Sequence, residues 1–166
     1  MDKLWSPWRS KYIESLGEKE DDDKCIFCEA AKNDVTDPEN LLIHKGELTF
    51  SLLNLYPYNN GHLMIIPFRH IGDFDDLSKQ EGSEIIRELQ LARRALIDIS
   101  QPQGFNIGAN LGRVSGAGID EHIHFHIVPR WSGDTNFMPV LGEVKVISQE
   151  LKETKLKLLT AYKKLK

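Results

Sequence analysis

Short runs of apolar residues dominate the chain from Leu41 to Ile66, and a helical stripe replaces them from Ser78 onward. Leu41-Leu42-Ile43 and Leu48-Thr49-Phe50-Ser51-Leu52-Leu53 flank Lys45-Gly46-Glu47, the signature of a β-hairpin. Pro57, Asn59, Asn60 and Gly61 make a turn, after which His62-Leu63-Met64-Ile65-Ile66 predicts a third strand ending at Pro67. Ser78 and Glu81 have the spacing of a capping box. Ile85, Leu89, Ala92, Leu96 and Ile99 then recur at steps of four and three, as one helix face requires. Pro102 and Gly104 stop that helix. Phe105 to Leu111 and His122 to Val128 read as strands four and five, and Ser148 to Leu165 as a terminal amphipathic helix. Hairpins join the early strands, so the expected fold is α+β: a five-stranded antiparallel sheet with one long helix packed on it and a C-terminal helix.

Residues 1–24 do not fit this pattern. Leu4, Trp5, Trp8, Tyr12 and Ile13 are apolar anchors on an N-terminal arm, and five acids in the six positions Glu18 to Asp23 form a solvated connector. Tryptophans in such an arm are expected to dock on the chain's own domain or on a second subunit. The domain proper is expected over residues 25–166.

Composition narrows the function. The chain has 166 residues, 40% hydrophobic and 28% charged, with a formal net charge of −4. That length supports one core without staples, and an acidic balance argues against a duplex-binding protein. No apolar run approaches the roughly 20 residues of a membrane span, and Met1 to Lys11 lacks the apolar centre of a secretory leader. A cytoplasmic location is expected. The six lysines from Lys152 onward are read as solvating a helix face, and His44 as an exposed strand residue without a role.

Three of the six histidines, His122, His124 and His126, fall within five residues. On a strand they would share one face, with Ile123, Phe125 and Ile127 on the other. Exposed polar decoration would explain one such histidine, but three in register point to chemistry. The row could ligate a catalytic metal, or supply a nucleophile with flanking donors for an anionic substrate. Cys25 and Cys28, spaced C-x-x-C, admit three readings: a redox dithiol, half of a metal site, or two buried small side chains.

His122-Ile123-His124-Phe125-His126-Ile127-Val128 resembles the His-φ-His-φ-His-φ-φ signature of the histidine triad superfamily of nucleotidyl hydrolases and transferases. Asn54, the turn Pro57 to Gly61 and His62 are similar to that family's nucleoside-binding segment. Pro129-Arg130-Trp131, Gly133-Asp134, Asn136-Phe137, Phe105-Asn106-Ile107-Gly108 with Asn110 and Gly112, and Leu4 to Ile13 resemble the branch containing bacterial diadenosine tetraphosphate phosphorylases. The resemblance implies the histidine triad fold and a covalent nucleotidyl-histidine intermediate. His124 would attack the α-phosphorus, with His126 and His62 donating to the phosphate oxygens or the leaving group. It also implies that Asn54 binds the ribose, that Leu52 and Leu53 wall the base, and that Asn110, Gly118 and Trp131 lie near the substrate. Trp131 read alone is equally a core aromatic.

The stretch Gly116-Ala117-Gly118-Ile119 departs from the branch's glycine-hydroxyl pair, which leaves the second acceptor open between phosphate and water. The resemblance further implies a structural zinc held by Cys25, Cys28, His70 and His122, and a homodimer or higher homo-oligomer. Dinucleoside polyphosphate cleavage is the leading expectation. Beside it stand a nucleoside phosphoramidate hydrolase, a nucleotide-binding module with little turnover, and a metal-dependent hydrolase.

Overall fold

The computed structural model describes residues 24–134 and 149–166. The N-terminal arm and Asn136-Phe137 lie outside the described residues. A short helix α1 (Ile26–Ala30) precedes strands β1 (Leu42–Lys45), β2 (Thr49–Leu53) and β3 (Leu63–Pro67). The long helix α2 (Lys79–Ser100) follows, then β4 (Gly104–Gly108), β5 (Phe125–Arg130) and the terminal helix α3 (Leu151–Leu165). The sheet order is β1-β2-β3-β5-β4 and every pairing is antiparallel. The expected α+β fold is therefore the observed one.

Strand alternation gives the sheet two buried faces with different tasks. Ile43, Leu53, Leu63, Ile65 and Ile127 pack against Ile85, Leu89, Ala92 and Leu96 of α2 and Leu158, Ala161 and Tyr162 of α3. Leu42, Phe50, Met64 and Ile66 turn to the opposite face, where Phe27 of α1 covers them. The predicted stripe of α2 is the buried one, and its start is the predicted capping box of Ser78 and Glu81. Arg69 adds a bidentate clamp on the Glu81 carboxylate at 3.0 and 2.8 Å, and this pairing, with the Ser78 hydrogen bonds, holds its pKa down to about 2. The helix ends at Ser100, with Gln101 in the left-handed region at φ 46°.

Two residues sit where the patterning did not put them. A register shift in β1 lets Leu42 pair with Leu52 while His44 pairs with Ser51. Such a bulge turns Leu42 and His44 to opposite faces. His44 is thus buried under the helices, its ring 5.6 Å from Tyr162 and its Nε2 3.7 Å from a Glu88 carboxylate oxygen. Lys155 is buried as well, instead of solvating α3. Its ammonium donates to the carbonyls of Asp37 and Asn40 and to the Asn40 side chain at 2.6, 2.9 and 3.0 Å, clamping the loop before β1. No helix among the described residues is long and apolar enough to cross a membrane.

Candidate functional site

His62 and the triad histidines gather on the sheet face opposite the long helix, while His44 lies on the helix side. Leu52, Met64, His126 and Gly108 lie in one row across β2, β3, β5 and β4. β5 starts only at Phe125, so the predicted strand from His122 is corrected: the first two triad histidines precede the ladder. Another device holds them. The Ile123 N–H donates to the Ile71 carbonyl at 2.7 Å, and the His122 Nε2–H to the Pro67 carbonyl at 2.9 Å. Gly72 makes this approach possible, since a Cβ there would lie 2.8 Å from the Asp120 carbonyl oxygen.

Hydrogen bonds to carbonyls fix two of the imidazole tautomers, because a carbonyl only accepts. His122 carries its proton on Nε2 and points the Nδ1 lone pair toward Cys25 and Cys28, at 3.2 and 3.7 Å from their sulfurs. His124 Nδ1 donates to the His122 carbonyl at 2.9 Å, which leaves the lone pair on Nε2. Burial keeps His122 and His124 below the ordinary imidazole range, and burial with His124 beside it lowers His126 to about 4. All three rings are neutral near pH 7. A neutral imidazole with an exposed lone pair is a nucleophile.

Neighbours on both sides confine the triad. Phe27, from the middle of the C-x-x-C segment, meets the His122 ring edge-on at 5.6 Å and the His124 ring at 4.9 Å. His62 is fully buried, with Nε2 2.9 Å from His126 Nδ1, and Asn54 reaches the other His62 nitrogen at 3.3 Å. Tyr58 covers the His62 and His126 rings at 4.7 and 5.7 Å. Neither Phe27 nor Tyr58 was singled out from the sequence. For Phe27 a signal was available: an aromatic between two cysteines travels with them.

The structure brings His62, His124, His126, Asn54 and Leu52 to one face, but not every expected substrate contact. Leu53 faces the helix-side core, because adjacent strand residues point oppositely. Trp131 lies past the far end of β5 and donates its indole N–H to the Ser100 carbonyl at 3.4 Å. Half-buried Asn110 and exposed Gly118 belong to the loop between β4 and β5, which leaves the sheet at Gly108, the register partner of His126.

Cys25, Cys28, His70 and His122 form a cluster whose ligand atoms all lie within 4.8 Å of one another. His70 Nδ1 is 3.4 Å from the Cys28 sulfur. Burial and the adjacent Cys25 push the Cys28 thiol up, a penalty that a cation between the sulfurs reverses. The cluster could hold a metal ion.

Comparison with known proteins follows the same lines. The HIT domain profile matches residues 36–133. The chain is 39% identical over 98% of its length to an AP-4-A phosphorylase of Mycobacterium tuberculosis, covering 85% of that protein. It is 28% identical over 64% of its length to an adenosine 5'-monophosphoramidase of Schizosaccharomyces pombe, covering 74% of that protein. A zinc-bound histidine triad family protein of Mycobacterium smegmatis shares the fold, with a TM-score of 0.68 at 24% identity over 86% of this chain and 95% of the other.

Proposed function

The chain belongs to the HIT domain family, and from that premise we propose that it cleaves dinucleoside polyphosphates such as diadenosine tetraphosphate through a covalent nucleotidyl-His124 intermediate. The observation that carries this reading is the orientation of His124. Its Nδ1–H is tied to the His122 carbonyl, so the Nε2 lone pair is directed away from the backbone. Attack by that nitrogen on the α-phosphorus forms a P–N bond and expels the remaining nucleotide. A second acceptor, phosphate or water, then takes the nucleotidyl group and restores the imidazole. The chemistry asks mainly for positioning and for donors to the phosphate oxygens. His126 is the donor in this reading, with His62 behind it at 2.9 Å. Asn54 holds the ribose and Leu52 the base edge, with Asn110 and Gly118 nearer the leaving group.

We assign zinc to the cluster of Cys25, Cys28, His70 and His122. Bonds of about 2.0–2.3 Å at the tetrahedral angle set ligand atoms roughly 3.3–3.8 Å apart. The sulfur–nitrogen pairs at 3.4 and 3.7 Å fall within that spacing, and the third, at 3.2 Å, lies just short of it. Four protein ligands close the site, so a bound zinc would tie α1 to the triad and leave the reaction to the histidines. Two reduced thiols suit a cytoplasmic enzyme. The outer edge of β4, with Ile107 half exposed, suits pairing in a homodimer or higher homo-oligomer.

The test incubates the protein with diadenosine tetraphosphate, with and without phosphate. ADP plus ATP appearing only with phosphate means phosphorolysis, and AMP plus ATP means hydrolysis. Turnover that survives His124→Ala refutes the covalent step. The similarity to the monophosphoramidase favours one further substrate, adenosine 5'-monophosphoramidate. Cleavage of that compound alone would move the assignment to phosphoramidate hydrolysis, and binding without turnover of either to a nucleotide-binding module.

A further inference from the structure

A main-chain amide and two imidazoles stand in line beside the triad. The Tyr58 N–H donates to His62 Nδ1 at 3.0 Å, and His62 Nε2 lies 2.9 Å from His126 Nδ1. The last nitrogen of the line, His126 Nε2, is buried and has no hydrogen-bond partner among the described residues. A main-chain amide can only donate, so His62 Nδ1 must accept. In a neutral ring the His62 proton then sits on Nε2, and it is directed at the lone pair of His126 Nδ1, 2.9 Å away. His126, neutral in turn, carries its own proton on Nε2. Every step follows from the first donor.

We propose that the turn from Asn54 to His62 is a tautomer lock, in which the Tyr58 main-chain amide makes His126 present an N–H beside the His124 lone pair. Tyr58 is a positioning residue, acting through two histidines. The reading of His124 as nucleophile gives the lock its purpose, since anionic phosphate oxygens need a donor there and would be repelled by a second lone pair. Three other features reinforce it. The Asn54 amide is a second donor toward His62 Nδ1, at 3.3 Å. The Tyr58 ring covers both imidazoles at an interplanar angle of 37°, restricting the water that would offer other tautomers a partner. Asn59 anchors the turn to the end of β5, donating to the Pro129 carbonyl at 3.1 Å and to Asp134 at 2.8 Å, while its carbonyl accepts from the His62 N–H at 3.2 Å. The segment around Trp131 thereby bears on the site through Asp134, which also takes the Trp131 N–H.

Long-range proton–nitrogen NMR on protein labelled with ¹⁵N-histidine reads the tautomers directly, without nucleotide. At neutral pH the lock requires His62 and His126 both in the Nε2–H form. Tyr58→Pro removes the amide donor and is expected to shift both rings toward mixed tautomers. Tyr58→Ala keeps the donor and is expected to retain Nε2–H on both. In turnover, Tyr58→Pro should lower kcat by at least about tenfold with KM changed less than about threefold, the loss of a donor used in the transition state. Finding His62 as Nδ1–H in the unaltered protein, or unchanged tautomers in folded Tyr58→Pro, overturns the proposal. Should Tyr58→Pro not fold, the unaltered protein decides alone. Because the tautomers are read in the free protein, the lock and the assigned reaction can fail separately.

Discussion

His126 should make the protein acid-sensitive by a predictable amount. Its pKa is lowered to about 4 by burial and by His124, from an ordinary 6.5. The unfolded chain takes up a proton as pH falls below 6.5, while the folded chain resists until pH 4. Stability is therefore complete above pH 6.5 and is lost as pH falls toward 4. A shift of about 2.5 pKa units corresponds to roughly 3.4 kcal/mol at the acid limit. Between pH 7.5 and pH 4.5 the same linkage gives a loss of about 2.5 kcal/mol. Asparagine cannot titrate, so His126→Asn removes this contribution and leaves the other groups in place. Urea unfolding of both proteins at the two pH values, with chelator present throughout, measures the difference. The unaltered protein should lose about 2.5 kcal/mol more than His126→Asn across that interval. Equal losses would refute the claim that the folded state holds His126 neutral.

Three further outcomes test the scaffold. Cys25→Ala should abolish bound metal, measured as zinc per chain by elemental analysis; retained stoichiometry would dissolve the assigned ligand set. Gly72→Ala forces a Cβ against the Asp120 carbonyl, so chelator competition should find metal held at least about tenfold more weakly, with stability lowered by about 1–3 kcal/mol. Lys155→Met leaves the carbonyls of Asp37 and Asn40 without their ammonium, and urea unfolding should register a loss of about 2–4 kcal/mol.

Most of the fold was legible because periodicity reports burial. The stripe of α2, the capping box of Ser78 and the hairpin into β2 each left a local pattern. His44 was not legible, since a one-residue bulge reverses a side chain's face and leaves no composition signal. Lys155 was misread for a related reason: its partners are main-chain carbonyls over a hundred residues away. Within the site, spacing marked the histidines and cysteines, but the resemblance named Leu53 beside Leu52 although alternation turns the two to opposite faces, and the strand bearing the triad starts at Phe125 instead of His122. The carbonyl acceptors of Pro67 and His122, which decide what each ring nitrogen does, carry no side-chain identity for a sequence to display.

Those acceptors also explain how three adjacent histidines avoid doing the same thing. His122 spends one nitrogen on the Pro67 carbonyl and aims the other at the cysteine sulfurs. His124 spends Nδ1 on the His122 carbonyl. His126 gives Nδ1 to His62. The two nitrogens left over are carried by neighbouring rings, 4.8 Å apart and nearly perpendicular. Hydrogen bonding makes the first a lone pair, and the Tyr58 amide makes the second a donor. A tetrahedral phosphorus flanked by charged oxygens needs that combination, one atom to attack and one N–H to meet the charge. The cysteine–histidine cluster and the turn bearing Tyr58 therefore bear on the same pair of rings from opposite sides. One fixes the His122 carbonyl that orients the His124 ring, and the other fixes the polarity of the His126 ring beside it.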